Sequence, residues 1–176
     1  MNDHILLTKF VGSAGAASLV RRFPKRFRDR FSSGFLSGVF DAEEDLSAEE
    51  ACGILAALPE VSGITRLGSG GFYQGLWDFL RATGKGCFVD LNRVPIHQET
   101  VELANFLQED PYTLYSAGCV LAATDRPEEA VERLRSAGIP AAVIGEVRRA
   151  PEKTVLRDGE PTFLRRPERD LLERMG

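Results

Sequence analysis

The sequence is poor in cysteine and has no long apolar run. Only three of its 176 residues are cysteine, and Cys52, Cys87 and Cys119 stand apart, without the paired spacing of a zinc site. An odd, scattered set of thiols is typical of a reduced compartment, so we expect a cytoplasmic protein with no metal site. No apolar run approaches the ~20 residues of a membrane helix, and the first residues lack the basic start of a signal peptide. We therefore expect no membrane association.

Positive charge is also scarce. The chain has 22 Lys and Arg against 26 Asp and Glu, a net charge of −4, which disfavours a dedicated nucleic-acid-binding protein. The cations are concentrated in residues 21–30 and the acids in residues 41–50. The basic segment is either an anion or nucleic-acid site, or a solvated helix face whose charges meet the acids across a loop. We favour the second interpretation, because the two segments are close in sequence and nearly cancel.

Apolar spacing along the chain predicts alternating strands and helices. Strands are predicted over residues 4–10, 61–65, 86–91, 116–123 and 140–147. Helices are predicted over residues 16–22, 23–31, 47–58, 72–83, 98–107 and 126–137. Residues 32–45 are predicted to form a loop, Asp158-Gly159 to turn a hairpin between residues 154–157 and 162–165, and residues 166–176 to form a charged helical tail.

This order of elements indicates an α/β or α+β sandwich with a mixed sheet. Residues 116–147 read as a strand, a helix and a strand with a short crossover, as in half of a ferredoxin-like fold. Neither an internal repeat nor a flexible linker interrupts the pattern, so we expect a single domain over residues 1–176.

A glycine-rich turn is the main candidate for ligand binding. Gly68, Ser69, Gly70 and Gly71 precede a predicted helix, where backbone N–H groups suit a phosphate. The turn lacks the Lys-Ser/Thr pair of a P-loop and the spacing of a dinucleotide motif. A tight turn that permits close helix packing is the alternative, and the residues alone favour it.

The other candidate groups are isolated. His4 and His97 have no partners at a metal-ligand spacing. Cys87 is either a core residue or a reactive thiol of lowered pKa, and Asp90 is either an acid at the end of a strand or the cap of the next turn. Trp77 belongs to the apolar face of a predicted helix. From the residues alone, no catalytic constellation emerges.

Longer stretches resemble the C-terminal half of the AIR synthase superfamily. Residues 70–90 are similar to its Gly-Gly turn, GxxGALWE-type helix and strand ending in Asp, and residues 110–122 to its DPxxLxSSGxLLxA motif. Residues 134–147 resemble its "aGi.aavIGeV" segment, and Leu7-Thr8-Lys9 with Gly12 its "lTKplG" strand. The segments occur in the family's order over nearly the whole chain. The likeness is strongest to the HypE-like and AIR synthase-related members.

The resemblance implies a fold and a site. The implied fold is the three-layer sandwich with a mixed sheet of the PurM C-terminal domain, with a ferredoxin-like sub-topology. The implied cofactor is ATP with Mg²⁺, the ligand a nucleotide or phosphorylated small molecule, and the process, for a HypE-like member, hydrogenase maturation. The implied nucleotide-binding residues are Gly68, Ser69, Gly70 and Gly71, with Thr8 and Lys9 as weaker candidates. A separate N-terminal half or a homodimer is the implied partner.

Three departures bear on activity. The 176 residues contain no segment that resembles the family's N-terminal nucleotide-binding domain. Before the Gly-Gly pair, residues 65–69 read Thr-Arg-Leu-Gly-Ser where the family typically has a His-Asp-x-Thr type sequence, and residues 172–176 contain no cysteine of the kind that ends HypE-like members. We expect the C-terminal domain of an ATP-dependent AIR synthase-related or HypE-like protein that is not catalytically competent alone, with catalytic residues unknown. The alternative is a stand-alone, non-catalytic ligand-binding or dimerisation module.

Overall fold

The computed structural model describes residues 3–43, 45–167 and 170–175. The strands are β1 His4–Thr8, β2 Val61–Arg66, β3 Gly86–Asp90, β4 Val120–Thr124, β5 Ala141–Arg148, β6 Lys153–Arg157 and β7 Glu160–Phe163. The α-helices are α1 Ser13–Arg22, α2 Pro24–Arg28, α3 Ser33–Asp41, α4 Glu49–Ala56, α5 Gly71–Thr83, α6 Gln98–Phe106, α7 Pro127–Ser136 and α8 Leu171–Met175. Short 3₁₀ turns lie at Leu91–Arg93 and Pro111–Thr113.

The strands form one mixed sheet in the order β2-β4-β1-β5-β3-β6-β7. Strand β1 pairs antiparallel with both β4 and β5, so those two strands run in the same direction on either side of it. The β4-α7-β5 unit is therefore a split crossover around β1, which confirms the ferredoxin-like sub-topology. The pairing of β3 with β6 is parallel, and β6 and β7 form the predicted hairpin.

Helices cover both faces of the sheet. Along β1, Ile5 and Leu7 pack into the layer beneath α5, whereas Leu6 between them packs into the layer beneath α4 and α7. All three side chains are fully buried. This alternation, which follows from the two-residue period of a strand, gives the expected three-layer sandwich.

A third apolar cluster consists of helices only. It joins α1, α2, α3, α6 and α8 through Leu19, Phe27, Leu36, Leu103 and Leu171, together with their neighbours. The basic segment of residues 21–30 lies along α1 and α2, and its Arg21 forms an ion pair with Glu43 of the acidic segment. This contact agrees with the charge-pairing interpretation. No helix in the described parts of the chain is long and apolar enough to cross a bilayer.

The largest departures from the predicted elements are a missed helix and a strand that begins later than predicted. Residues 33–41 form α3 instead of a loop, because the Ser32 hydroxyl caps the helix by accepting from the Phe35 N–H and a buried stripe of Leu36 and Val39 packs on neighbouring helices. The strand predicted from residue 116 begins at Val120. Residues 116–119 form a turn instead, with a Cys119 N–H to Ser116 carbonyl bond and Gly118 at a φ of 93°.

Truncating a side chain in the buried stripe of α3 tests whether residues 33–41 form a packed helix. Leu36→Ala should lower the free energy of unfolding by about 2–4 kcal/mol, because it leaves a cavity in the helical cluster. Leu46→Ala is the matched control, since Leu46 is 50% exposed and its truncation should cost no more than about 0.5 kcal/mol. Urea unfolding followed by circular dichroism measures both. Equal losses would contradict the packing of α3.

Candidate functional site

The glycine turn is a tight, left-handed entry to α5. Gly70 and Gly71 adopt φ angles of 82° and 68°, a region that favours glycine. The Gly71 N–H donates to the Gly68 carbonyl at 3.1 Å and closes the turn. Helix α5 spans Gly71–Thr83 with Gly84 as its C-cap, as its amphipathic pattern predicts. Its face of Phe72, Phe79 and Leu80 is buried, while Trp77 lies half-buried at the edge.

Close packing explains one of the glycines. A Cβ atom at Gly71 would lie 2.5 Å from the Leu114 carbonyl oxygen and 2.7 Å from that of Tyr112. The backbone of the segment following Asp110 therefore touches the start of α5 directly. The turn therefore permits close packing of the helix, as the residues alone favoured.

The same turn also holds two carboxylates of the chain's own tail. The Gly70 N–H donates to Asp170 Oδ2 at 2.7 Å, and the Ser69 hydroxyl donates to Glu173 Oε1 at 2.8 Å. Asp170 is only 2% exposed. The free N–H groups and the dipole at a helix N-terminus both favour a negative oxygen there. The donors suited to a phosphate are thus engaged by Asp170 and Glu173.

Several further contacts hold the tail in this position. Arg174 donates two hydrogen bonds to Glu109, at 3.1 and 2.8 Å, and Arg22 donates to the Leu172 carbonyl at 3.0 Å. Leu171 is buried in the helical cluster. The second carboxylate oxygen of Asp170 accepts from the Leu172 N–H and caps α8. Of the predicted tail, residues 168, 169 and 176 lie outside the described residues.

The two weaker candidates are engaged with other segments. Thr8 is fully buried, and its hydroxyl accepts a hydrogen bond from the Val120 N–H at 2.9 Å. Lys9 Nζ donates to the carbonyl groups of Asp45 and Ser47 at 2.8 and 3.2 Å. Thr8 therefore exposes no surface to a ligand in this structure, and the Lys9 ammonium fastens the segment before α4.

The isolated polar candidates have structural roles. Asp90 accepts from the Asn92 N–H at 2.9 Å and so caps a 3₁₀ turn. His97 precedes α6 and stacks on Phe10 with 4.0 Å between ring centroids, where burial lowers its pKa. Arg66, at the end of β2, pairs with the exposed Glu49. Among the residues that the structure describes, no group of three His, Cys, Asp or Glu side chains is suited to a metal ion.

A cluster that the sequence analysis missed lies beside the tail. Arg157 donates to both Tyr73 and Asp110, and the Tyr73 hydroxyl lies 3.3 Å from Asp110 Oδ2. Burial is the main cause that raises the pKa of Tyr73. These groups line a cleft of about 520 Å³ with residues of β7 and the tail. They come from separate parts of the chain, so no local motif indicated them.

Comparison with known proteins supplies a family and a fold. A family model described as "AIR synthase related protein, C-terminal domain" matches residues 3–158. The structure of E. coli HypE, a hydrogenase maturation protein, is similar with a TM-score of 0.78 and 20% identity over 99% of this chain and 53% of that one. HypE in complex with ATP gives 0.71 and 21%, over 97% and 52%. Thiamine-monophosphate kinase from Stenotrophomonas maltophilia K279a gives 0.67 and 17%, over 92% and 52%.

The chain spans about half the length of these structures. At these identities the likeness establishes the fold, and it confirms the resemblance to the PurM C-terminal domain that the sequence predicts. No curated protein matches the chain.

The close approach at Gly71 can be separated from backbone strain. Gly71→Ala should destabilise the protein by at least about 2 kcal/mol more than Gly84→Ala. Both positions have a positive φ, but a Cβ at Gly84 meets nothing within 4 Å. Gly84→Ala therefore loses only the ease with which glycine adopts a positive φ, which should lower the free energy of unfolding by about 1–2 kcal/mol. Urea unfolding measures the difference. Equal losses would mean that the backbone at Leu114 yields freely.

The burial of Cys87, which is 1% exposed, favours a core residue over a reactive thiol. Burial raises the pKa of this thiol to about 12, and its sulfur lies 3.8 Å from the Thr154 carbonyl oxygen. At pH 8 the thiolate fraction should be on the order of 10⁻⁴. Iodoacetamide should therefore modify the half-buried Cys52 well before Cys87, as peptide mass spectrometry would show. Both should react in urea, and rapid alkylation of folded Cys87 would contradict its burial.

Proposed function

Because this chain belongs to the family of AIR synthase related proteins, as their C-terminal domain, we propose that it is the C-terminal half of an ATP-dependent, HypE-like protein. In this proposal it binds a nucleotide or phosphorylated small molecule together with a separate N-terminal half and is not catalytically competent alone. Hydrogenase maturation in the cytoplasm is the process that the HypE likeness favours. The chain comprises one domain in this proposal.

The observation that carries the proposal is the buried bond from the Gly70 N–H to a carboxylate. A carboxylate and a phosphate present the same kind of negative oxygen, so a donor that holds one suits the other. The residues proposed to contact the ligand are Gly68, Ser69, Gly70 and Gly71. Thr8 and Lys9 would support them indirectly, by fixing the strand end and the segment before α4. The structure of HypE with ATP is consistent with a nucleotide ligand.

A phosphate at this turn must replace the tail. Asp170 and Glu173 accept from the donors that a phosphate would need, and three anions cannot share two donors without strong repulsion. The tail therefore competes with the ligand in the isolated chain. Mg²⁺ would arrive with the nucleotide, and the N-terminal half would supply its protein ligands.

The second candidate function is a non-catalytic ligand-binding or dimerisation module. Occupation of the turn by Asp170 and Glu173 favours it. The altered segment at Thr65-Arg66, where Arg66 pairs with Glu49, favours it as well. A module of this kind would keep the tail in place permanently. It would form a stable homodimer without nucleotide.

Calorimetric titration with Mg·ATP tests the proposal. The native chain should bind more weakly than about 100 µM, which corresponds to about −5.5 kcal/mol. The double variant Asp170→Asn/Glu173→Gln should bind at least about 5-fold more tightly, since it removes the two competing charges. Asp125→Asn/Glu132→Gln is the matched control, because it changes the net charge equally at exposed positions and should leave the affinity unchanged.

Two outcomes decide between the candidates. Absence of binding in both double variants, with folding verified by circular dichroism, would refute the nucleotide proposal. Sedimentation of the native chain as a dimer without nucleotide would then favour the module. An equal gain in both double variants would reflect the lower net negative charge alone, and would contradict competition by the tail.

A further inference from the structure

We propose that the cleft between the β6–β7 hairpin and α8 binds a second anionic ligand, a phosphate ester that carries a planar ring. We call this cleft the arginine cleft. It has a volume of about 520 Å³, within the range of small-molecule sites. The residues that carry the argument are Tyr73, Arg157, Phe163, Arg165, Arg166 and Arg174.

The side chains that line the cleft carry an excess of positive charge. Four arginine side chains line the cleft against two carboxylates, those of Glu109 and Asp110. Arg174 pairs with Glu109 and Arg157 with Asp110, so both carboxylates are engaged. Arg165 and Arg166 are exposed and form no ion pair with a carboxylate in the described parts of the chain. A local excess of positive charge in a chain of net charge −4 attracts an anion.

Preorganisation is the second argument. Asp110 Oδ1 accepts from the Tyr112 N–H, and its other oxygen accepts from Arg157 and Tyr73. Arg157 is therefore held in one orientation before a ligand arrives, which lowers the entropy lost on binding. Guanidinium groups are well matched to phosphate oxygens, because their N–H groups form a planar fork.

The apolar wall is the third argument. Phe163 lines the cleft at the edge strand β7 and is 73% exposed, the largest exposure among the large apolar side chains described. Val155 and Leu164 beside it are buried. A ligand ring stacked on Phe163 would cover this surface, while its phosphate meets the arginines. The cleft therefore fits a phosphate ester with a planar ring better than a bare inorganic ion.

The arginine cleft is distinct from the glycine turn. Asp170 and Glu173 bond to the turn, whereas Arg174 of the same tail pairs with Glu109 at the cleft. Arg165, Arg166 and Arg174 also lie beyond residue 158, where the match to the family model ends. Seven of the thirteen residues that line the cleft lie beyond residue 158, and the proposal does not rest on the nucleotide function of the turn.

Calorimetric titration of the full chain with AMP, without metal, tests the cleft. The native chain should bind AMP, and Arg165→Gln/Arg166→Gln should weaken binding at least about 10-fold. Arg133→Gln/Arg149→Gln is the matched control, since it removes the same charge from exposed positions outside the cleft and should change affinity less than about 2-fold. Thermal unfolding verifies that each variant is folded.

A second comparison tests the ring. AMP should bind at least about 5-fold more tightly than inorganic phosphate to the native chain, and Phe163→Leu should remove most of that difference. If Arg165→Gln/Arg166→Gln and Arg133→Gln/Arg149→Gln weaken AMP binding equally, the binding depends on net charge alone and the proposed cleft site is overturned. AMP binding that survives Arg165→Gln/Arg166→Gln unchanged would also overturn it and would leave the function of the glycine turn untouched. Undetectable AMP binding would overturn it as well.

Discussion

The structure depends on the close contact between the start of α5 and the backbone of residues 112–116. The segment lies so close to the start of α5 that only a glycine fits at position 71. The N–H of its last residue, Ser116, donates to the Gly68 carbonyl. The same segment also contacts the start of α1. The Ser116 hydroxyl accepts from the Gly12 N–H, and the Tyr115 carbonyl accepts from the Gly15 N–H. One irregular segment thereby fixes the N-termini of α1 and α5 relative to each other.

This arrangement places two anion-attracting features on either side of one short tail. On one side, the amide of Gly70 at the helix start meets a carboxylate that is almost wholly buried. On the other side, the arginine cleft has more positive than negative side chains. The tail contributes to both, through Asp170 at the turn and Arg174 at the cleft. Movement of the tail would therefore alter the contacts of the turn and of the cleft together.

Local patterns predicted the elements whose signals are strong. Helix α5 was predicted within one residue at each end, because its start follows a glycine turn, its apolar face is continuous and Gly84 stops it. Helix α3 was missed, since it is short, contains Gly34 and Gly38, and has only a narrow buried stripe. Its stability comes from packing against α1, α2 and α6. Of these, α6 lies far from it along the chain, beyond the reach of a local pattern.

The sequence alone determined the alternation of strands and helices, the family resemblance and the phosphate-suited turn, because each depends on residues close together in the chain. Only the tertiary structure decided what occupies that turn. The Gly70 amide and the Asp170 carboxylate are 100 residues apart, and nothing in either segment specifies their meeting. The arginine cleft likewise joins Tyr73 of α5, Asp110 of a connecting segment and Arg157 of β6. Such contacts arise because the sheet order brings distant segments together, which residue spacing cannot encode.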